Sequence, residues 1–434
     1  MRRGLVVSTM IVACALPATA IAQGAAPVKF EVAGIPVIFK PVRANDVIAV
    51  RMYLKGGSAN LTAANAGIEA LMLETADKGT AKYDKDAFNQ KAVATGTNIG
   101  SVAGVDYSVM TMQGVRQHWE TAWDLFAQAA LHPTFPASEL ELVRAQMING
   151  VRRIPDDPDT YLTYLADSLL YVGHPYAVRP GGTIASLTGI TRSAIEQWHK
   201  TRMTKENLVI VVVGNVNRAD LARKIAATFG KLPPKGGAAV KTMPLGTLTP
   251  ELFVVKRELP TNYITGSFAA PAPADPDYAA IRVAMDILSH RLFEEVRTKR
   301  NLTYAVGAGV ETRVANRGRL YVTAVQPDTT IRVIFSEVRR LQNEPIPGRT
   351  LAENVNVFLT AFWASQQTNM GQAQQLGLFE LLSGGYQNLG RFVESVRRVT
   401  PPDVQRVARR YLTRARFAVI GDPDKITRSV ILGL

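Results

Sequence analysis

The chain carries one long pattern twice. An amphipathic helix pattern over 195–202 leads into Asn207-Leu-Val-Ile-Val-Val-Val-Gly214, a buried-strand run that closes on glycine. A second such helix, over 404–412, leads through a short polar turn into Phe417-Ala-Val-Ile-Gly421. The two glycines lie 207 residues apart, which is the length of a duplicated domain and far beyond a solenoid repeat. Each half opens with strands, over 29–54 and 252–268, and each carries a further strand, around 107–112 and 320–325, among its helices. Strands and helices mixed with hairpin-like stretches predict an α+β fold with a mostly antiparallel sheet flanked by helices in each half. Lys231-Leu-Pro-Pro-Lys-Gly-Gly begins a Pro/Gly-rich stretch that runs to Pro250, so the expected units are 23–230, a linker over 231–250, and 251–434.

With 47% hydrophobic and 20% charged residues in 434, each half can bury its own core, and disordered or low-complexity classes are excluded. A single cysteine, Cys14, excludes a disulfide framework and a cysteine-based zinc cluster. The net charge of +14 is spread along the chain, so no nucleic-acid footprint and no nucleic-acid partner are expected. Residues 1–22 read as a secretory signal peptide: Arg2 and Arg3 precede an apolar run from Gly4 to Leu16, and Ala20-Ile21-Ala22 supplies a small-x-small cleavage site. Ile11-Val12-Ala13-Cys14 also resembles a lipoprotein cleavage box, which competes with the site after Ala22. The expected mature chain is periplasmic or secreted and has no integral membrane span, because no later stretch approaches ~18 apolar residues.

His118, His132, His174, His199 and His290 stand singly, and no two have the i, i+4 spacing that stacks two ligands on one helix face. Their ordinary reading is capping or packing. No G-x-S-x-G elbow, Walker loop or G-x-G-x-x-G fingerprint occurs. Three stretches remain informative. Gly67-Ile-Glu-Ala-Leu-Met-Leu-Glu-Thr-Ala-Asp-Lys-Gly79-Thr80 predicts a short helix with Ala70, Leu73 and Glu74 on one face, and Glu69 and Glu74 read as solvated. Tyr171 to Gly182 contains His174-Pro-Tyr in a polar loop. Leu292-Phe-Glu-Glu-Val-Arg-Thr-Lys-Arg-Asn-Leu-Thr-Tyr304 closes an amphipathic helix, with Ile281, Met285, Leu288, Leu292 and Val296 inward, and turns into a strand. Taken singly, Arg297 reads as a cation at a helix C-terminus and Tyr304 as a half-buried strand aromatic.

On these stretches the chain resembles the pitrilysin/insulinase-type peptidases, the inverzincins, over essentially its whole mature length. The family pattern is a Gly, then H-x-x-E-H on a helix, then Gly-Thr. Gly67 and Gly79-Thr80 match that frame, but Ala70 and Glu74 stand at the two histidine positions and Leu73 at the catalytic glutamate. The third, acidic ligand would come from a helix over 139–153. In the second half, Arg297 and Tyr304 coincide with an arginine/tyrosine pair that many members use against substrate. The resemblance therefore implies half of a clamshell made from two homologous domains, with no zinc or other cofactor of its own. It implies a heterodimer with a zinc-motif-bearing peptidase subunit that cleaves peptides or unfolded polypeptides. There Arg297 and Tyr304 would bind substrate carbonyls and stabilise the oxyanion of the tetrahedral intermediate. Such a chain would be inactive alone. The alternative is a catalytically inactive, peptidase-like binding or scaffold protein.

Overall fold

A computed structural model describes residues 25–434; the signal peptide expected over 1–22 lies outside them. The first half builds one six-stranded sheet from β1 (Val28–Val32), β2 (Ile35–Pro41), β3 (Val47–Lys55), β4 (Asn98–Ala103), β5 (Tyr107–Val115) and β6 (Leu208–Gly214), in the spatial order β1-β2-β6-β3-β5-β4. The second half builds a five-stranded sheet from β7 (Glu251–Lys256), β8 (Asn262–Ala269), β9 (Val306–Val310), β10 (Arg317–Ala324) and β11 (Arg416–Gly421), in the order β7-β11-β8-β10-β9. Without β1, the two sheets have the same topology. β2 runs parallel to β6 as β7 runs parallel to β11, and every other pairing is antiparallel. The helices repeat as well: Ala137–Arg153, Pro158–Leu170 and Arg192–Arg202 recur in order as Gly348–Ala364, Asn369–Leu382 and Pro401–Tyr411. The duplication extends to the closing glycines, with φ of 151° at Gly214 and 156° at Gly421. Both positions are also close-packed: a Cβ on Gly214 would lie 2.9 Å from Ile48 Cα, and one on Gly421 would overlap the Asn262 side chain.

β6 is buried along its whole length because both faces of its sheet are covered. Leu208, Ile210 and Val212 face the core of the first half, whereas Val209, Val211 and Val213 face the opposite side. What covers that opposite side comes from the other half of the chain. Ala373 and Leu376 on the helix Asn369–Leu382 pack against Ile38, Tyr53 and Val211. Reciprocally, Leu162, Leu165 and Ala166 on Pro158–Leu170 pack against Ala418 and Ile420 of β11. The two exchanged helices occupy equivalent places in the repeat, so each half lends the other the same layer. Gly377 permits the close approach, since a Cβ there would overlap the phenol edge of the Tyr53 ring.

Polar contacts fasten the junction. The Arg317 side chain, 2% exposed, is paired with Asp167 and with Glu311. The Tyr171 hydroxyl donates to Ala315 O at 3.1 Å, Ala315 N donates to the Tyr176 hydroxyl at 3.3 Å, and that hydroxyl donates to the Asp106 carboxylate. Burial pushes the Asp106 carboxyl above its ordinary value, against the pull of Tyr176 and the Val314 amide. The His174-Pro-Tyr stretch thus belongs to the junction between halves. His174 Nδ1 accepts from Tyr176 N at 3.1 Å while Nε2 lies 3.0 Å from Met243 O in the segment between the sheets.

Candidate functional site

The helix Ile68–Thr75 begins after Gly67, whose Cα is packed so closely that an added Cβ would lie 2.8 Å from Gly182 Cα. Ala70 and Glu74 project into a cavity of about 510 Å³. Its other walls are Ser101 and Val102 of β4, an edge strand, and Met147 and Gly150 of Ala137–Arg153. Leu73 does not share this surface; it is 5% exposed and belongs to the core. Glu74 is exposed to the cavity. Partial burial raises its carboxyl above the ordinary value, with Asp77 adding to the shift and Lys78 opposing it.

Glu69 corrects the sequence expectation. It is not solvated but 2% exposed, accepts from the Ser108 hydroxyl, and accepts from Trp198 Nε1 at 3.2 Å. Desolvation raises its carboxyl pKa, while Ser108, the charge of Arg202 and Trp198 pull it down. It ties the helix Ile68–Thr75 to β5 and to Arg192–Arg202, facing away from the cavity that Ala70 and Glu74 line.

These residues do not suit a zinc ion. Ala70 and Leu73 carry no donor atom, and the part of Ala137–Arg153 that faces the cavity offers Met147, Gly150 and Val151 but no carboxylate. Among the described residues no three His, Cys, Asp or Glu side chains converge as a metal site. His199 is half-buried, and the desolvation lowers its pKa; its Nε2 lies 2.8 Å from Ala130 O, and His290 Nδ1 lies 3.0 Å from Asn354 Oδ1.

Arg297 and Tyr304 are brought together. The inward positions Ile281, Met285, Leu288, Leu292 and Val296 are all buried, as the sequence predicts. The helix Tyr278–Leu292 then widens into a π turn, Phe293–Thr298, that carries Arg297 at its end. The guanidinium carbon lies 4.6 Å from the Tyr304 ring centroid and 4.9 Å from that of Phe293, so it is held between two rings. Tyr304 precedes β9 in a bend and is 80% exposed, which corrects the reading of it as a half-buried strand residue. Phe293 was missed by the sequence reading; its i, i+4 spacing from Arg297 was the available signal. Among the described residues Arg297 has no carboxylate partner within ion-pair distance. The structure does not bring this pair to the Ala70–Glu74 cavity, whose lining comes entirely from the first half.

A duplicated α+β unit with a motif helix beside an edge strand, and its metal positions replaced, defines an inverzincin-type peptidase half without its own ligand set. Residues 37–173 match the model of the insulinase family, peptidase family M16, and residues 189–357 match the model described as the peptidase M16 inactive domain. The chain belongs to the M16, or pitrilysin/insulinase, peptidase family. It is 23% identical over 414 residues to an uncharacterized zinc protease of Mycobacterium tuberculosis, covering 92% of this chain and 93% of that one. Its fold is shared with a peptidase M16 inactive domain from Pseudomonas fluorescens, with a TM-score of 0.82, 23% identity, and 91% of this chain and 98% of that chain covered. It is also shared with the periplasmic protease PqqL of Escherichia coli, with a TM-score of 0.77 and 12% identity, where 97% of this chain covers 49% of the other. These matches support a peptidase-like inactive subunit. No helix among the described residues is long and apolar enough to cross a membrane.

Proposed function

We propose that this chain is the zinc-free subunit of an exported heterodimeric metalloendopeptidase. One observation carries the reading: the half-buried guanidinium of Arg297 lies 4.6 Å from the ring centroid of the solvent-exposed Tyr304, in a chain where alanine stands at the first histidine position of the motif and leucine at the catalytic glutamate. An exposed tyrosine stacked on an unpaired arginine does little for stability. The same arrangement offers a planar fork of donors and a hydroxyl to a peptide carbonyl and to the anion it becomes. A partner subunit with an intact H-x-x-E-H motif would supply the zinc, which polarises the scissile carbonyl and activates water. This chain's part is to bind the peptide and orient it. That one chain covers about half of PqqL agrees with two such units making a full chamber. The periplasmic or secreted location rests on the leader-like residues 1–22.

The test is co-purification from the native envelope, identification of the bound chain, and reconstitution. The chain alone should hydrolyse no peptide and hold no stoichiometric zinc, and the mixture should be active. Arg297→Ala and Tyr304→Phe should each lower kcat by about 10²-fold or more while leaving assembly intact. Unchanged turnover in those variants would leave the scaffold reading instead. Zinc-dependent hydrolysis by the isolated chain would refute the proposal.

A further inference from the structure

The cavity at the motif helix has a duplicate in the second half. Ala70 and Glu74, one helical turn apart, share their cavity with Met147, Gly150, Val151 and Ile154. Arg282 and Asp286, also one turn apart, share theirs with Phe358, Ala361, Phe362 and Ser365, which repeat that spacing 211 residues further on. The second cavity has a volume of about 530 Å³, within the ~300–1,000 Å³ range of small-molecule sites. Its chemistry is different from that of the first.

Oppositely charged side chains at i, i+4 on a helix ordinarily meet. Here they are held apart. Arg282 donates to the Tyr278 hydroxyl at 2.9 Å, with its guanidinium carbon 5.4 Å from the Phe358 centroid, and it makes no ion pair with Asp286. Asp286 Oδ2 is buried without a hydrogen-bond partner, while the rest of the side chain, 32% exposed, opens on the cavity and leaves Oδ1 as the oxygen a ligand can reach. His290 Nδ1, 3.8 Å away, is already engaged with Asn354. Around the two charges, Phe358, Phe362, Phe379 and Phe392 interlock with ring centroids 5.5–6.3 Å apart about Phe392.

We infer that this cavity binds a free α-amino acid with an aromatic side chain, its carboxylate on Arg282, its ammonium toward Asp286 and its ring among the phenylalanines. A simple anion would leave Asp286 unpaired, and a simple amine would leave Arg282 without a carboxylate. A zwitterion serves both, and charge-assisted hydrogen bonds in a partly dry pocket are the strong ones. The aromatic walls favour edge-to-face contact with a further ring. The inference is independent of the role assigned to Arg297 and Tyr304.

Titration calorimetry on the mature chain with L-phenylalanine tests it, with phenethylamine, 3-phenylpropanoate and L-alanine as probes that each lack one feature. L-Phenylalanine should bind saturably at one site per chain, and each single-charge analogue should bind about tenfold or more weakly. The near-isosteric Asp286→Asn should remove the preference for L-phenylalanine over 3-phenylpropanoate, and Arg282→Gln the preference over phenethylamine. Absence of saturable binding of L-phenylalanine to the wild-type chain would overturn the inference, whatever the variants do. So would an analogue lacking one charge that binds as tightly as the amino acid, or a folded Asp286→Asn chain with undiminished selectivity.

Discussion

Replacing Gly377 by alanine tests whether the exchanged helix is a structural part of the first half's sheet. Gly377 sits inside Asn369–Leu382, where alanine is intrinsically the better helix former by ~0.8–1.0 kcal/mol. An added Cβ would, however, lie less than 3.0 Å from Cε2, Cζ and the hydroxyl of Tyr53, where ordinary contact begins at 3.4 Å. Tyr53 is fully buried, and Arg51 Nε donates to its hydroxyl at 2.8 Å, so the ring has nowhere to go. The helix must retreat, which loosens Ala373 and Leu376 against the sheet. Overpacking of this kind costs about 1–3 kcal/mol, and more where the backbone must shift, so the net expectation is a loss of about 2 kcal/mol. Gly150 provides the control. It lies inside Ala137–Arg153 with nothing within 4 Å of an added Cβ, so Gly150→Ala should gain about 0.5–1 kcal/mol. Guanidinium denaturation followed by far-ultraviolet circular dichroism gives both values. Trimming the ring with Tyr53→Ala should turn Gly377→Ala from a loss into a gain of about 0.5–1 kcal/mol in that background. If the two glycine replacements shift stability in the same direction, or Tyr53→Ala gives no relief, the close helix–sheet packing does not exist as described.

Arg317→Met should cost about 3 kcal/mol, since it strands Asp167 and leaves Glu311 with Arg313 alone, and the partial exposure of both acids keeps the loss at the lower end for a broken buried pair; denaturant midpoints measure it, and a loss below about 1 kcal/mol would contradict a structural role. Glu69 has a folded-state pKa above its unfolded value, so its contribution to stability is full below about pH 4.5 and fades as pH rises through the folded value. The stability of wild type relative to Glu69→Gln should therefore decline with rising pH across that window, and a flat difference would show that the carboxyl is not desolvated. Restoring the motif with Ala70→His, Leu73→Glu and Glu74→His should give a chain that loses zinc on dialysis until an acid is added at Met147 or Gly150, about tenfold or more in affinity being at stake. Retention of one zinc per chain by the triple variant, measured by atomic absorption, would mean another residue supplies the third ligand.

The strands nearest the repeat were legible because β6 and β11 are covered on both faces and therefore read as unbroken apolar runs. The inward face of Tyr278–Leu292 was legible from its spacing. Which sheet a helix covers was not, because Pro158–Leu170 and Asn369–Leu382 show an apolar stripe that names no partner. Glu69 looks like any acid in a first helical turn, and its burial depends on Ser108 and Trp198, 39 and 129 residues away. The exposure of Tyr304 escaped the sequence too, since the residue lies in a bend short of β9 and not in the strand.

The mutual loan of helices has a mechanical consequence. Pulling the two sheets apart would strip the apolar back from each at once, so the segment over 231–250 cannot act as a hinge, however pliable its composition. If two such chains build a chamber, as proposed, it would open along the seam between molecules, each moving as a single jaw.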